Sequence, residues 1–358
     1  MTRFDIACHR LRNQRISAAP LKHPSEVVGW LVAVQAQDYA GAKWALGLRM
    51  QNAADEDVDR ALAEGSILRT HLMRPTWHFV TPADIRWMLA LTAPRVHAIN
   101  ATLYRKMELD HATLEHYHAV LAEALQGGKQ LTREEIREVL LKAGIAPLDG
   151  LRLAYVLMSA ELDGVICSGA RRGKQFTYAL LDERAPQART LDGEEALAEL
   201  VRRYYLSRGP ATVQDFSKWS GLTVADASRG LEAVKGQFEH EAVGGQTYWF
   251  STSAPSGSDG SPRAFLLSIY DEYISSYKDR SAIGEAEVRD KLKALGNALS
   301  YIIVVDGQIV GTWKRLLRKD AVVIDANLYT QLTEAENRAV AEAALRYGEF
   351  LKLPVVLL

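Results

Sequence analysis

Two glutamines separated by one residue, Gln35 and Gln37, are the side chains best suited by type and spacing to do chemistry. They follow the stretch 27–34, which is apolar on every side and therefore predicts a buried helix. Each buried amide carries two donor hydrogens and two acceptor sites, which a substrate or an ordered water in a cleft would satisfy. A pair of purely structural amides explains the residues alone equally well.

The backbone decides whether these two amides can act together. Residues i and i+2 point to different faces of a helix, whereas on extended backbone they share one face. If Gln35 and Gln37 face the same pocket, the helix must end near Val34.

A basic segment at 69–78 is the second group of candidate residues. Arg69 and Arg74 are predicted phosphate contacts. On a strand, Thr76 and His78 share one face and Trp77 takes the other, where it is predicted to belong to the core. His78 is interpreted either as a ligand-contacting residue or, equally well, as a satisfied core histidine.

Five strings of this chain resemble motifs of the winged-helix DNA-binding family that contains the bacterial glycosylase AlkZ. They are LVAVQAQD at 31–38, RTHLMR at 69–74, TWHF at 76–79, YDEYISSYKDR at 270–280 and VDGQIVGTWKR at 305–315. The resemblance therefore spans nearly the whole chain. It implies a DNA glycosylase that unhooks interstrand crosslinks. It also implies that Gln35 and Gln37 form the glutamine–apolar–glutamine catalytic signature of the AlkZ branch, whereas the related YcaQ-type branch has aspartate at the second position.

The chemistry of one class of lesion fits two neutral amides. Hydrolysis of a glycosidic bond passes through a transition state resembling an oxocarbenium ion, which ordinary glycosidases stabilise with two carboxylates. An N7-alkylated guanine already carries a positive charge and leaves readily. The enzyme then needs only to position water and stabilise charge on the sugar, which amide dipoles can do. Asp38 could serve as a general base, but we interpret it preferentially as a helix cap.

The composition predicts a folded, soluble protein with more than one structural unit. The chain has 358 residues, 48% of them hydrophobic, and a net charge of −1. Residues 1–50 nevertheless carry seven Lys or Arg against three Asp or Glu, and residues 66–105 carry five against one. The two segments that hold the candidate site are therefore the basic ones.

A repeating pattern of helices followed by a short hairpin predicts a mainly α protein with small β-sheets, in three tandem winged-helix units. The predicted units are 1–125 with the glutamine motif, 126–190 and 191–250, followed by a C-terminal α+β element at 263–358. The segment 251–262, rich in serine, glycine and proline, is predicted to be a linker. In the C-terminal element, strands at 300–305 and 308–314 are predicted to form a hairpin, with a helix at 334–351.

The loop 169–174 of the second unit is predicted to be a DNA-contacting wing. Arg171, Arg172 and Lys174 lie in a glycine-bounded turn between two predicted strands, from which cations can reach phosphates. A solvated, charged turn is the alternative.

The sequence predicts no metal and no cofactor, although His111, Glu115, His116 and His118 lie close together on a helical segment. Without a lysine in the glutamine motif, no Schiff-base step is implied, so we expect a monofunctional glycosylase. We expect a monomer that binds double-stranded DNA carrying alkylated or crosslinked guanine, in the cytoplasm at the nucleoid. The two free-standing cysteines and the absence of a long apolar run agree with that location.

Two other classes of function remain open at this stage. Winged helices are more often regulators than enzymes, so a non-enzymatic transcriptional regulator is the leading alternative. A protein-interaction module is the second. A cleft beside the glutamines lined by Arg or Lys would favour DNA over protein as the partner.

Overall fold

The structure, a computed structural model, describes residues 1–251, 261–294 and 301–358. Helices predominate and the strands form several small sheets, so the predicted mixed α+β fold class is confirmed. The predicted linker falls largely on residues 252–260, which lie outside the described residues.

The elements are numbered in chain order. The helices are α1 (Arg3–Asn13), α2 (Pro24–Leu31), α3 (Tyr39–Gly47), α4 (Asp55–Glu64), α5 (Ile85–Lys106), α6 (His111–Leu125), α7 (Arg133–Lys142), α8 (Gly150–Leu162), α9 (Leu181–Arg184), α10 (Gly193–Arg208), α11 (Val213–Ser220), α12 (Val224–Val234), α13 (Glu272–Ser275), α14 (Ala286–Ala294) and α15 (Glu334–Leu351). The strands are β1 (Ala33–Gln35), β2 (Leu68–Leu72), β3 (Thr76–Val80), β4 (Leu131–Thr132), β5 (Ile166–Ser168), β6 (Thr177–Leu180), β7 (Glu239–Val243), β8 (Gln246–Phe250), β9 (Ala264–Leu267), β10 (Ile302–Val305), β11 (Gln308–Leu317), β12 (Val322–Leu328) and β13 (Val355–Leu357).

The described residues form two compact units, each assembled from segments that are distant in the chain. The first unit comprises 1–58, 198–219 and 223–358, and the second comprises 59–197 with 220–222. The four-part division predicted from the sequence stays a prediction.

A five-stranded sheet forms the centre of the first unit, in the order β13-β12-β11-β10-β9. Its neighbours are antiparallel except for the parallel pair β12–β13. The predicted hairpin is the pair β10–β11, whose turn residues Asp306 and Gly307 both have positive φ, the geometry that follows the twist of the strands. Strand β9, which the sequence analysis did not single out, completes the sheet beside β10.

Helix α3, which follows the glutamine motif, is anchored in the core of the first unit. The indole of Trp44 is buried and packs edge-on against Tyr347 of α15, with ring centroids 4.9 Å apart. The Nε1 of Trp44 also donates to the carbonyl oxygen of Leu266 on β9 at 2.6 Å. The segment carrying Gln35 and Gln37 therefore leads into a helix fixed to the sheet.

The second unit contains residues 126–190, for which the sequence predicts the second winged helix. Helices α6, α7 and α8 enclose an apolar core beside a sheet in the order β4-β6-β5. The predicted capping box that begins α7 is present, with Thr132 and Glu135 bonded reciprocally. Strands β5 and β6 form the antiparallel pair that carries the predicted wing.

Helices α10 to α12 and the hairpin β7–β8 agree with the elements predicted for the third repeat. Thr223 caps α12 through a capping box with Asp226. Among the described residues, none of the helices has the length and apolarity needed to cross a membrane.

Candidate active site

The glutamine motif begins at a sharp turn rather than at the end of a long helix. Helix α2 ends at Leu31, and Val32 has φ 67° and ψ −53° before β1 begins at Ala33. The expectation of a helix to about Val34 was therefore wrong. An apolar run buried on all sides does not distinguish helix from strand, and the β-branched Val32 and Val34 favour extended backbone.

Exposure alternates along the motif. Gln35, the last residue of β1, is partly buried, Ala36 is fully buried and Gln37 is exposed. The buried Ala36 therefore lies between a partly buried glutamine at the end of β1 and an exposed glutamine beyond it.

The backbone of Gln35 is bonded to a buried carboxylate. The Gln35 N–H donates to Oε1 of Glu272 at 3.0 Å. Burial would raise the pKa of Glu272, but the Arg208 guanidinium, with further hydrogen bonds from Gln35 and Ser276, outweighs burial and lowers the pKa to about 2. Glu272 is therefore a charged acceptor beside the motif.

Arg208 is the counterion of Glu272, with 2.8 Å between Nη2 and Oε2, and both side chains are fully buried. Arg208 also donates to the carbonyl oxygens of Leu31 at 2.8 Å and Ala33 at 3.0 Å. A single guanidinium thus contacts the backbone on both sides of Val32.

Asp38 is the N-cap of α3. Its Oδ1 accepts from the Gly41 N–H at 2.5 Å and lies 3.4 Å from the Tyr301 hydroxyl. The cap interpretation is confirmed, and it accounts for an aspartate directly after the motif.

In the second unit, β2 and β3 pair as the predicted basic hairpin. Arg69 is 6% exposed, and its guanidinium lies 4.4 Å from the Trp77 ring centroid and 4.3 Å from that of Phe176. The Arg69 N–H also donates to Ser168 Oγ at 2.7 Å. Arg69 therefore joins the hairpin to the sheet that carries the wing.

The remaining candidates on this hairpin differ in exposure. His78 is fully buried, and its Nδ1 lies 3.0 Å from the carbonyl oxygen of Thr76, which can only accept a hydrogen bond. This agrees with the core-histidine interpretation. Arg74 and Thr76 are partly buried at the turn. The ring of Trp77 packs against the ring of His71, with 4.2 Å between the ring centroids.

The wing cations contact the protein to different degrees. Arg172 forms an ion pair of 2.7 Å with Glu135, whose pKa falls to about 2 because of that hydrogen bond and those from Thr132. Arg171 lies 3.8 Å from Asp59 and also over the Phe176 ring. Lys174 is exposed. The structure thus brings Arg69 and Arg171 together around Phe176.

The histidine-rich segment is not arranged as a metal site. His111 pairs with Glu115 at 3.5 Å on the surface of α6, whereas His118 lies 3.5 Å from Asp163. Within the residues that the structure describes, no group of three or more His, Cys, Asp or Glu side chains could hold a metal ion.

Sequence reasoning missed two features of the first unit. One is the pair of Arg208 and Glu272, although the string at 270–280 was noted for its resemblance. The other is the tip of the β11–β12 hairpin, where Leu316 and Leu317 are each 56% exposed beside the exposed Arg318. Apolar side chains next to cations are suited to insertion between base steps of DNA.

Comparison with protein families identifies the class of this enzyme. Residues 28–350 match the family described as DNA glycosylase AlkZ-like, and the chain belongs to this family. The predicted enzyme class, a glycosylase acting on DNA, is confirmed, which decides against the non-enzymatic regulator.

A curated protein and a solved structure, both from Streptomyces sahachiroi, are similar to the chain. It is 27% identical over 320 residues to the Interstrand DNA cross-link repair glycosylase of Streptomyces sahachiroi, covering 85% of each chain. The solved structure of the Streptomyces sahachiroi DNA glycosylase AlkZ superposes with a TM-score of 0.82 at 22% identity over 100% of both chains. This superposition confirms the fold.

Proposed function

We propose that this enzyme is a monofunctional glycosylase that releases bulky N7-alkylguanine adducts, interstrand crosslinks included. The observation that carries the proposal is the placement of Gln35 and Gln37 on either side of the inward-facing Ala36, at a backbone held by a buried, ionised carboxylate. The similarity to the Streptomyces sahachiroi cross-link repair glycosylase supports crosslinked DNA as the substrate.

The proposed reaction needs no acid on the leaving group. Water adds to C1′ as the C1′–N9 bond breaks, and the electron pair of that bond neutralises the positive charge of the alkylated base. The proton lost by the water passes to solvent. Gln35 and Gln37 position the water through their amide oxygens and direct carbonyl dipoles at the developing sugar cation. A normal guanine lacks the positive charge and is a poor substrate for such a site.

We propose that the basic hairpin and the wing bind the DNA backbone. Arg74 and Thr76, partly buried at the hairpin turn, are the proposed direct contacts, and Arg69 and His78 support the surface from beneath. On the wing, Arg171, Arg172 and Lys174 contact phosphates. Arg172 must exchange Glu135 for a phosphate, which costs little because surface ion pairs are weak.

The proposed substrate constrains how the lesion is reached. A base tied to both strands cannot rotate into a deep pocket as in ordinary base flipping. An amide pair at the end of β1 and just beyond it supports attack without full extrusion of the base. The protein would act as a monomer on damaged double-stranded DNA at the nucleoid.

The test is incubation with DNA containing N7-methylguanine and with nitrogen-mustard crosslinked DNA. Alkaline cleavage of the abasic sites then measures base release. We expect release from both substrates and none from undamaged DNA. The matched control is the Gln35→Ala/Gln37→Ala double variant, which should bind but release the base slowly. Crosslinks that remain intact with folded wild-type protein would refute the proposal.

A further inference from the structure

We infer that Arg208 and Glu272 are positioning residues of the glycosylase reaction: together they hold the turn at Val32 and the backbone of Gln35 in the reactive conformation. The inference rests on the proposed role of Gln35. It adds two side chains from distant parts of the chain that act only through the motif.

The turn at Val32 is a conformation that needs external support. With φ 67° and ψ −53°, Val32 lies close to the strained form of the γ-turn, which a β-branched residue rarely adopts. Such a conformation persists where the surroundings over-determine it, and it commonly lies at functional sites. Without support, the chain would relax and move β1.

Arg208 supplies that support from one side. Its Nη1 donates to the Leu31 carbonyl and its Nη2 to the Ala33 carbonyl, so the planar fork spans the backbone around Val32. The guanidinium is fully buried, and its Nε donates to Ser276 Oγ at 2.9 Å. A flexible ammonium group could not reproduce this geometry.

The two carboxylate oxygens of Glu272 accept hydrogen bonds from different partners. Oε2 accepts from Arg208 at 2.8 Å, from Trp219 Nε1 at 3.0 Å and from Ser276 Oγ at 2.7 Å. Oε1 accepts from the Gln35 N–H. A buried ion pair is weak grounds for stability, since its desolvation offsets much of the attraction, but it can fix a geometry. Here the geometry it fixes is that of the motif.

This asymmetry makes Glu272→Gln a selective probe. The three donors on the Oε2 side require an acceptor, so the carboxamide oxygen takes that position. Its NH₂ group then faces the Gln35 N–H, donor against donor. The variant keeps the shape of the side chain while removing the bond to the motif. Arg208→Lys is the second probe, because it keeps the positive charge and loses the fork.

The experiment is a double-mutant cycle in single-turnover base release from N7-methylguanine DNA. Glu272→Gln should lower the rate about ten- to a hundredfold with DNA affinity unchanged. In a Gln35→Ala background it should lower the rate by less than about twofold, because the amide whose backbone Glu272 holds is then absent. Melting temperature should fall in both backgrounds alike. Arg208→Lys should follow the same non-additive pattern.

Asp215→Asn is the matched control. Asp215 is also a fully buried carboxylate of the first unit, but it accepts from the backbone N–H groups of Thr212 at 2.9 Å and Lys278 at 2.7 Å. It should lower the melting temperature without changing the rate at a temperature where the protein is folded.

The outcomes separate the two proposals. If Gln35→Ala alone keeps the wild-type rate, the proposed mechanism fails. If Gln35→Ala is slow but Glu272→Gln and Arg208→Lys are as fast as wild type, the positioning inference is wrong. A Glu272→Gln loss that adds fully in the Gln35→Ala background also overturns it.

Discussion

At the scale of single residues, the two glutamines have different surroundings. Gln35 ends a strand with its backbone bonded to Glu272, whereas Gln37 is exposed and directly precedes the cap of α3. In the proposed mechanism, the amide of Gln35 acts from a backbone bonded to Glu272, and the amide of Gln37 acts from an exposed position.

Each single Gln35→Ala or Gln37→Ala change should lower excision of N7-alkylguanine roughly ten- to a thousandfold, with binding of lesion DNA little altered. Neither need abolish activity, since the charge of the lesion already weakens the bond. Single-turnover base release is the measurement, with melting temperature to exclude unfolding. Wild-type rates from both folded variants would make the amides structural.

Asp38 provides a contrasting test at the next position. Because asparagine caps a helix as well as aspartate does, Asp38→Asn should leave both the melting temperature and the excision rate nearly unchanged. Asp38→Ala should cost about 1 kcal/mol of stability through loss of the cap on α3. A large rate loss in Asp38→Asn would instead indicate that the carboxylate is a general base.

The lowered pKa of Glu272 predicts that the stability of the protein depends on pH. Its pKa falls from 4.5 to about 2 on folding, so its contribution is complete above about 4.5 and is lost as pH falls toward 2. The shift corresponds to about 3 kcal/mol. The stability advantage of wild type over Glu272→Gln, from urea unfolding at several pH values, should therefore shrink in this window. A constant advantage would contradict the ionised state.

At the scale of elements, the wing at 169–174 is bonded to helix α7. The capping-box residue Glu135 of α7 also binds Arg172, so the wing is held against its own helix in the absence of DNA. In the proposed DNA complex, Arg172 exchanges this carboxylate for a phosphate.

Replacing Arg171, Arg172 and Lys174 together with alanine should weaken binding to any DNA sequence. The slope of log affinity against log salt concentration should become shallower by up to about three. Each phosphate contact that the variant no longer makes is one that no longer displaces a counterion from the DNA. Lys235, Lys291 and Arg338, surface cations paired within their own helices or helix ends, provide a charge-matched triple-alanine control. If the two triple variants have equal salt slopes, the wing does not contact phosphate and is a solvated turn.

At the scale of the whole molecule, the proposed chemistry ends at the abasic site. Lys43, the lysine of α3 after the motif, is buried and paired with Asp55. We therefore expect no Schiff base: borohydride should trap no covalent protein–DNA adduct, and strands should break only after alkali. Trapping of an adduct by the folded enzyme would show a lyase step and refute the monofunctional assignment.

The sequence by itself determined the features that depend on neighbours in the chain. The capping boxes at Thr132 and Thr223 and the Asp306–Gly307 turn are local signals, since each is made by residues within a few positions of one another. The fold class and the family followed from local strings in the same way. The glutamine motif was recognised because its residue types and spacing are themselves the signal.

Only the tertiary structure decided how the motif is held. The run 27–34 is apolar on all sides, so its periodicity could not place the end of α2 at Leu31. That end is fixed by Arg208, 177 residues from Leu31, and by Glu272, 237 residues from Gln35. Long-range hydrogen bonds to buried charges leave no periodic trace in the sequence, because any position along the chain can supply the partner.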